Sequence, residues 1–586
     1  MSTALPFQEI AGQALNDEQT AYLQGLFSGL ANRGLKFTDV QADPTGPRPA
    51  TDEDLIFEER VKRDLHPLDA FDSFLEDAAD NRAPAKENVF RYKWNGLFFL
   101  APSSDAYMCR LRIPGGLVKS FQLRELAKIS RDLTTGYIQI TTRANFQLRN
   151  IEPHNAPALL SRIQSIGLSS RGAGADNIRN ITCSPTAGID PHELIDTLPL
   201  AQELGQYIIH HREFYDLPRK FNIAFDGGGL ISSVEDTNDI GLRAVKIADG
   251  TEKIPAGVYF RVALGGATGH KSFAEDAGVL VKPGEIIKVT AALVRVFIAN
   301  GNRTNRKKAR LKHLLETWTL EQYIAEAEKL LGYELLKAPL DQQGQFSLEA
   351  KTLRTEVPHS HEGVFPQKQS GFNYVGVGIP VGQITPKQMN RVAELADLYG
   401  SGEVRLTVWQ NLIIPNIPDT YVGTVRKALT KAGLFAEQSN IRSGFIACTG
   451  NSYCKFASSN TKGHALEFIK HLEKRVRLDQ PINVHITGCP HSCAQHYMGD
   501  IGLLATKVKV QGESVEGYHV FIGGGFGRNR KVGRQVFTGL TSEQVKTTLE
   551  TMFNIYLKRR IENESFQSFT NRHDLDALQG MFSNDE

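Results

Sequence analysis

Four of the six cysteines stand in two close pairs, an arrangement that binds iron–sulfur clusters or zinc. Five residues separate Cys448 from Cys454, and three separate Cys489 from Cys493. Four thiolates spaced in this way suit a cubane iron–sulfur cluster or a tetrahedral zinc ion. Zinc ribbons and fingers usually space their paired ligands by two to four residues, so the wider first pair favours a cluster. A zinc site and four unrelated buried thiols are the alternatives.

Each pair follows a stretch that is typical of a β-strand ending in a turn. Ser-Gly-Phe-Ile-Ala precedes Cys448, and Asn-Val-His-Ile-Thr-Gly precedes Cys489. Two strand ends can deliver their thiolates to one point. The remaining cysteines, Cys109 and Cys183, stand alone and are predicted to be buried thiols that bind no metal. A role for Cys183 in shaping a pocket is the alternative.

The elements that must position these residues occur twice, because the chain contains two copies of one unit. Ile113–Gly116 recurs as Ile379–Gly382 at an offset of 266 residues, and the register holds without a gap over the next matches. Cys183 then corresponds to Cys448 at an offset of 265. The further matched pairs are Gly136 with Gly402, Thr141 with Thr407, Asn145 with Asn411, Asn150 with Asn416, and Asn222 with Asn483.

Both copies are predicted to fold as strand, helix, strand and helix, which gives an α+β protein. In the second copy, Thr385 is a suitable helix N-cap and Pro386 suits the first helical position. The helix is expected to end at Gly400. The residues predicted to form its apolar face, and that of its counterpart, are Val392, Leu395 and Leu398 in the second copy and Leu123, Leu126, Ile129 and Leu133 in the first.

Two positively charged residues of the first copy correspond to glycines in the second. Arg110 matches Gly376, and Arg179 matches Gly444. The first copy therefore has cations where the second has small residues, while only the second has all four paired thiols. Across a pseudo-two-fold axis, this asymmetry predicts a positively charged pocket on one side of a cofactor and a metal cluster on the other.

The sequence resembles a known family, the siroheme-dependent nitrite and sulfite reductases. The resemblance covers approximately residues 90–530. Its motifs are Arg-x-Arg-Ile-Pro-Gly-Gly from Arg110, Thr-Thr-Arg-x-Asn-x-Gln from Thr141, Leu-Pro-Arg-Lys-Phe-Asn from Leu217, Cys-x5-Cys from Cys448, and Thr-Gly-Cys-Pro-x-Ser-Cys from Thr487. It implies two pseudo-symmetric halves, each a ferredoxin-like subdomain plus a siroheme- or cluster-binding α/β subdomain.

The expected domain boundaries follow from this resemblance and from the duplication. They are an N-terminal wrapping segment at 1–100, a ferredoxin-like half-domain at 101–170, a siroheme-binding, substrate-side domain at 171–340, a linker at 341–365, a second ferredoxin-like half-domain at 366–435, and a second siroheme and cluster domain at 436–586.

The resemblance also implies a reaction and the residues that perform it. A 4Fe–4S cluster would be held by Cys448, Cys454, Cys489 and Cys493, and the last of these would be shared with the siroheme iron. The substrate anion would bind the opposite face of the siroheme, near cations that correspond to Arg110, Arg179 and Lys220. The implied reaction is the six-electron reduction of nitrite to ammonia or of sulfite to sulfide.

Siroheme carries eight carboxylates, so its binding surface should be rich in cations and hydrogen-bond donors. Candidates on one strand and loop are Thr142, Arg143, Asn145 and Gln147. Further candidates are Arg306, Arg310 and Lys312, in a basic run that is predicted to open a helix with Leu311, Leu314, Leu315 and Trp318 on its apolar face. A solvated helix face or a nucleic-acid patch is the alternative for this run.

One position bears on the choice between the two anions. Sulfite reductases of this family typically have a second lysine two residues after the one that corresponds to Lys220, and this chain has Asn222 there. Sulfite is largely a dianion near neutral pH and gains more than nitrite from an added cation, so Asn222 favours nitrite. Sulfite reduction remains the main alternative. A precorrin monooxygenase of the same fold and a zinc-stabilised binding protein are the lesser ones.

Composition excludes several other classes of protein. The 586 residues are 41% hydrophobic and carry a net charge of +2, which argues against disorder and against a general polyanion binder. The stretch at 523–527 is rich in glycine but lacks the dinucleotide-binding spacing, so no nicotinamide or flavin is expected. Electrons should then come from an external donor, with ferredoxin the leading candidate. We expect a monomer, because the two internal copies already supply the pairing that a homodimer would provide. We expect a cytoplasmic enzyme, because no export signal or membrane helix is evident.

Overall fold

The computed structural model describes residues 9–10, 13–14, 20, 55–100, 104–338, 348–349 and 361–583. The chain divides into two compact units, Met1–Leu55 and Ile56–Glu586. The first unit contains a short antiparallel pair, β1 (Glu9–Ile10) and β2 (Gln13–Ala14).

Two expectations fall partly outside the described residues. Of the predicted wrapping segment at 1–100, the structure describes residues 55–100 and only a few positions before them. Of the predicted linker at 341–365, only residues 348–349 and 361–365 are described.

Two five-stranded sheets of the second unit each borrow a strand from the other sequence copy. The strands of the first sheet, in spatial order, are β16 (Gln383–Ile384), β6 (Ile138–Ile140), β7 (Phe146–Ile151), β4 (Tyr107–Arg110) and β3 (Leu97–Phe99). Those of the second sheet are β14 (Gly363–Pro366), β15 (Phe372–Val377), β18 (Leu412–Pro418), β17 (Glu403–Leu406) and β5 (Leu117–Lys119).

The borrowed strands are β5 and β16, which follow the two copies of the Ile-Pro-x-Gly motif. In β5, Val118 lies opposite Val404 of β17. In β16, Ile384 lies opposite Ile138 of β6. Each copy therefore completes the sheet of the other, and all four of these residues are buried in a shared core.

A pair of long helices begins directly after the exchanged strands, α4 (Ser120–Leu133) and α10 (Pro386–Tyr399), and the two pack against each other. The predicted start of α10 is confirmed, since the Thr385 hydroxyl accepts from the amide of Gln388. The predicted role of Leu398 is wrong, because its side chain is 62% exposed. The buried stripe of α10 continues instead through Ala396, one helical turn after Val392.

Two further sheets form the other pair of domains. The first consists of β12 (Leu336–Lys337), β11 (Glu275–Val281), β10 (Gly257–Leu264), β9 (Ile240–Ile247) and β13 (Leu348–Glu349), with β8 (Ile223–Asp226) also paired to β9. The second consists of β19 (Phe445–Ala447), β20 (Val484–Thr487), β21 (Ile501–Val510), β22 (Glu513–Ile522) and β23 (Arg534–Thr541).

The duplication extends into these two sheets. β8 and β9 are parallel, with Ile223 opposite Ile240. β20 and β21 are also parallel, with Val484 opposite Ile501. The mixed helices and sheets, in two related halves, confirm the predicted α+β fold class.

The remaining helices cover these sheets or precede them in the chain. They are α1 (Phe57–Asp64), α2 (Phe71–Ala79), α3 (Lys86–Arg91), α5 (Ala156–Ser165), α6 (Leu198–His210), α7 (Ile286–Asn300), α8 (Leu311–Leu314), α9 (Leu320–Leu331), α11 (Val422–Lys431), α12 (Thr461–Arg475), α13 (Ser542–Arg559), α14 (Phe566–Asn571) and α15 (Leu575–Ser583). The basic run does not open a long helix as predicted: Arg306–Lys308 form a 3₁₀ turn, and α8 spans only four residues.

Candidate functional site

The first thiol of each pair lies at the end of one of two neighbouring strands. β19 and β20 run parallel with Ala447 opposite Ile486, so Cys448 and Cys489 leave the sheet at the same edge. The Cys448 amide donates to the Ile486 carbonyl at 3.0 Å, and the Gly488 amide donates to the Cys448 sulfur at 3.1 Å. The two strand ends are adjacent, as the sequence predicted.

The neighbouring paired thiols oppose the ionisation of Cys489 and Cys493. Burial raises the pKa of Cys489 to about 12, and the charges of Cys493, Cys454 and Cys448 raise it as well. Solvent reaches Cys493, yet desolvation by the surrounding protein still raises the pKa of its thiol. Thiols in such an arrangement ionise together only around a positively charged group, so this donor set suits a cluster of iron ions.

No three His, Cys, Asp or Glu side chains in the described part of the chain are placed to hold a single metal ion. The unpaired thiols lie where the sequence predicted. Cys109 and Cys183 are 0% and 3% exposed, and burial raises the pKa of each thiol to about 12.

A buried lysine beside the thiols was missed by the sequence analysis. Lys462, in the first turn of α12, donates through Nζ to the Ala447 carbonyl at 3.2 Å. Burial lowers the pKa of Lys462 to about 7, and the neighbouring Cys448 opposes this shift. No motif in the sequence marks this lysine, because its position depends on the packing of α12 against the strand end.

A buried arginine on β7 was missed as well. Arg149 donates to the Thr449 hydroxyl at 2.6 Å. Burial lowers its pKa to about 10, and the charges of Cys454 and Cys448 oppose that shift. A signal was available, since Arg149 follows Gln147 by two residues and therefore lies on the same face of the strand.

Arg110 and Arg179 meet at one carbonyl group. Both guanidinium groups donate to the Ala173 oxygen, Arg179 at 2.8 Å and Arg110 at 3.3 Å. Arg110 also lies over the ring of Phe98, 4.7 Å from its centroid. Burial lowers the pKa of Arg179 well below its usual value, and repulsion by Arg110 lowers it further. The structure thus brings together two of the predicted substrate-binding cations.

Lys220 lies beside these arginines. Burial lowers the pKa of Lys220 to about 7, and repulsion by Arg310 and Arg179 acts in the same direction. The nearby Cys493 opposes the shift. Lys220 and Arg110 of the first half therefore lie near Cys493 of the second half.

Asn222 follows Lys220 by two residues and is partly buried. Its amide donates to Oδ2 of Asp239 at 2.8 Å, and its carbonyl accepts from the amide of Ile240 at 3.1 Å. These backbone bonds anchor the segment that presents Lys220.

The predicted siroheme contacts on the strand and loop differ in what they bind. Thr142 donates to the carbonyl of Cys493 at 3.0 Å. Arg143 donates to Oδ1 of Asn238 at 2.8 Å. Asn145 is 1% exposed and donates to the carbonyl of Leu111, so it supports the fold from within.

Gln147 holds another side chain of the site in place. Its Oε1 accepts from Arg149 at 2.6 Å. Gln147 therefore holds Arg149, which in turn binds Thr449 beside Cys448.

The arginines of the basic run are engaged in ion pairs. Arg306 makes a bidentate pair with the buried Asp176, at 2.8 and 2.9 Å. Arg310 pairs in the same way with the buried Asp239, at 2.8 and 2.9 Å.

Lys312 makes weaker contacts. It approaches the carbonyl of His270 at 3.4 Å and the carboxylate of Glu316 at 3.7 Å. Of the three predicted cations of the run, it is therefore the least constrained by the fold.

Comparison with known proteins places the chain in a family. The model for the nitrite and sulphite reductase 4Fe–4S domain matches residues 174–335 and 438–579. The model for the nitrite/sulfite reductase ferredoxin-like half domain matches residues 101–166 and 365–432. The chain belongs to the nitrite and sulfite reductase family. Each family model matches twice, in agreement with the duplication read from the sequence.

Individual members of the family are similar along most of the chain. A ferredoxin–nitrite reductase of Synechococcus elongatus is 36% identical over 470 residues, covering 79% of this chain and 88% of that protein. A chloroplastic ferredoxin–nitrite reductase of Zea mays is 33% identical, covering 80% and 84%. The solved structure of the Mycobacterium tuberculosis NirA protein matches with a TM-score of 0.82 and 28% identity, covering 89% of this chain and 97% of that one.

The family's two cofactors are siroheme and a 4Fe–4S cluster, as predicted. The residues present suit both groups. Four neighbouring thiols, once ionised, suit a cluster of iron ions, and the buried cations near them suit the carboxylates of siroheme and an anionic substrate. Among the described residues, no helix has the length and apolar character needed to cross a bilayer.

Proposed function

We propose that this protein reduces nitrite to ammonia, taking six electrons one at a time from an external donor. The observation that carries the proposal is that the carbonyl of Cys493 accepts from Thr142 of the first half at 3.0 Å and that Cys493 lies near the cations Lys220 and Arg110. The relatives from Synechococcus elongatus and Zea mays are ferredoxin–nitrite reductases, which supports nitrite as the substrate and ferredoxin as the donor.

We assign the four paired cysteines as cluster ligands, with Cys493 as the thiolate shared with siroheme. When bound, siroheme supplies an iron that can hold the nitrogen of nitrite, and the cluster supplies the electrons. Thr142, which contacts Cys493, and Arg143, which lies near Arg110 and Arg310, would contact siroheme. Lys312 is a further candidate for a siroheme carboxylate, whereas Arg306 and Arg310 would act mainly through their carboxylate partners.

Arg110, Arg179 and Lys220 are proposed to bind and orient the anion. Their guanidinium and ammonium groups neutralise its charge and polarise its oxygens. The pKa of about 7 leaves Lys220 able to give up a proton near neutral pH, so it can donate to an oxygen atom as that oxygen leaves as water. The arginines, whose carbonyl acceptor is fixed, keep the anion in position through successive proton transfers.

Asn222 supports nitrite over sulfite, and sulfite reduction is the second candidate function. We expect Asn222→Lys to raise sulfite turnover relative to nitrite turnover, because an added cation stabilises a dianion more than a monoanion. Asn302→Lys makes the same charge change on the exposed surface and serves as the matched control. An unchanged ratio in Asn222→Lys would remove this argument for nitrite.

The decisive experiment is an absorption spectrum of the purified protein with iron and sulfide analysis, followed by turnover with reduced ferredoxin on nitrite and on sulfite. We expect a siroheme spectrum, iron and labile sulfide for one cluster, and ammonia as the product. Zinc without iron would support the zinc-stabilised binding protein instead. Iron and sulfide without siroheme, together with bound precorrin, would support the monooxygenase.

Three further assignments complete the proposal. We infer a monomer, which size-exclusion chromatography with light scattering would test. We infer a cytoplasmic location, supported by six cysteines that form no disulfide. We also infer the domain division given by the sequence, with the second ferredoxin-like half-domain beginning near residue 366.

A further inference from the structure

The residues on either side of Cys493 have an unusual backbone conformation. Ser492 and Gln495 have φ values of +52° and +56°, in the left-handed region that residues other than glycine rarely adopt. Such conformations persist where the surrounding contacts determine them. The segment 488–496, which we call the thiol loop, carries both Cys489 and Cys493, so its conformation sets where these two thiols lie.

Contacts within the second half account for part of this conformation. The Ser492 hydroxyl lies 2.8 Å from Nδ1 of His496, whose side chain is fully buried. The amide of Ala494 donates to the Thr487 hydroxyl at 3.3 Å. The first bond lies within the thiol loop, and the second ties the loop to the end of β20.

Two further contacts come from the first half. Thr142 donates to the carbonyl of Cys493 at 3.0 Å. The amide nitrogen Nε2 of Gln495 donates to the Thr237 hydroxyl at 2.9 Å. The first half therefore holds the thiol loop at Cys493 itself and two residues after it, across the boundary between the two sequence copies.

Thr237 is itself held firmly. It is 5% exposed, and its hydroxyl donates to the carbonyl of Val234 at 2.8 Å, which leaves the oxygen free to accept from Gln495. The next residue, Asn238, accepts from Arg143 at 2.8 Å. The Gln495–Thr237 bond thus connects the thiol loop to the same segment that fixes a cation of the first half.

We propose that Thr237 and Gln495 are positioning residues that hold the Cys493 thiolate at the place where one sulfur atom serves both cofactors. The inference rests on the proposed function, because it takes Cys493 as the shared ligand. A shared sulfur must lie at bonding distance from two iron atoms at once, and hydrogen bonds behind a ligand commonly fix such positions. Neither residue contacts the substrate cations, so their effect is on the link between the two cofactors.

The test compares Thr237→Val with Thr290→Val in the holoenzyme. Thr290 lies on α7, is fully buried, and its hydroxyl has no hydrogen-bond partner among the described residues, so the control makes the same change without breaking a bond. We expect Thr237→Val to retain iron, sulfide and siroheme but to shift the reduction potential of the cluster and the visible spectrum of siroheme. We expect kcat to fall about tenfold with KM for nitrite unchanged.

Two more variants identify the bond. Thr237→Ser keeps the hydroxyl and should restore the wild-type potential. In Gln495→Asn, the asparagine tolerates a positive φ, but its side chain is too short to reach Thr237. This variant should therefore reproduce the shift in cluster potential seen in Thr237→Val. The double variant Thr237→Val with Gln495→Asn should show no larger shift than either single variant. Gln495→Asn also decides the outcome if Thr237→Val fails to fold.

The inference is overturned if Thr237→Val and Gln495→Asn match Thr290→Val in potential and spectrum. Failure of the proposed function has a different signature, because wild-type protein would then lack siroheme or the cluster before any substitution is made.

Discussion

The two halves of this protein share a backbone plan but differ at matched positions. Arg110 and Arg179 of the first half meet at one carbonyl, whereas their counterparts are Gly376 and Gly444. A Cβ at Gly376 would lie 2.5 Å from the carbonyl oxygen of His361, so the second half has no room there for a side chain. The space that Arg110 occupies in the first half is taken by backbone in the second.

A second matched position differs in the same direction. Arg143 of the first half corresponds to Trp409, whose ring stacks on His361 with centroids 5.4 Å apart. The Trp409 indole donates across the boundary to the carbonyl of Ser232 at 3.3 Å. The second half therefore has aromatic side chains at the counterpart of this cationic position and carries all four paired thiols, while the first half has an arginine there. Under the proposed function the two halves divide two tasks, with the first binding the anion and the second holding the cluster.

The largest effect is expected from substituting the matched cysteines, Cys448 in the second half and Cys183 in the first. Cys448→Ser should abolish the cluster, since a neutral hydroxyl replaces a thiolate ligand, and nitrite reduction should fall below detection. Cys183→Ser changes the matched position in the first half and should leave cluster content and turnover nearly intact. Iron and sulfide analysis with turnover assays checks both variants. Cluster loss in Cys183→Ser would contradict the division of tasks.

The next largest effect is expected at the cations. Arg179→Ala should lower kcat/KM for nitrite by about 10²- to 10³-fold, the usual cost of removing one group that stabilises developing negative charge. Siroheme and cluster content should stay at the wild-type level. Arg131→Ala, on the exposed face of α4, is the matched control and should leave the rate unchanged. Loss of cofactor rather than rate would show that Arg179 supports the fold instead.

Two matched aspartates, Asp239 and Asp500, allow the stability of the two halves to be compared. The backbone amide of Asn222 donates to Asp239, and that of the matched Asn483 donates to Asp500 at 2.7 Å. Of these two carboxylates, only Asp239 is paired with an arginine, Arg310. Asp239→Asn should destabilise the protein by about 3–5 kcal/mol, because it leaves a buried guanidinium unpaired. Asp500→Asn should cost far less at neutral pH. Denaturant unfolding measures both, and equal losses would argue against this asymmetry.

The smallest effect concerns pH. Burial raises the pKa of Asp500 to about 7, above that of an unfolded aspartate. Folding therefore takes up a proton between about pH 4 and 7, and the stability that this carboxyl contributes is lost as pH rises through that range. Relative to wild type, Asp500→Asn should gain stability from pH 5 to 7.5, by about 2–3 kcal/mol. A difference in Tm that does not change with pH would contradict the buried, protonated state.

Much of the fold was readable from the sequence because it is local or repeated. The capping residues of α10 and the offset of 266 residues are both visible along the chain. The four thiols were identifiable for the same reason, since each pair follows a strand. Leu398 was misplaced because a three-residue step from Leu395 leaves the buried stripe of α10.

The parts that the sequence did not predict depend on distant partners. The sequence predicts Arg306 and Arg310 as siroheme contacts, but they pair with Asp176 and Asp239, which lie 130 and 71 residues away along the chain. Lys462 is buried beside Cys448 only because α12 packs there. No periodicity or motif along the chain encodes such pairings.

The exchange of β5 and β16 has a consequence for how this protein can come to exist. A chain cut between the copies would leave each product with an unpaired edge where its partner's strand belongs, so neither fragment is expected to be stable alone. The architecture is that of two interlocked protomers fused end to end, and a covalent connection makes their mutual completion independent of concentration. Once the two copies were joined in one chain, either copy could lose residues whose function the other supplied. Two identical protomers could in this way diverge into halves with different functions.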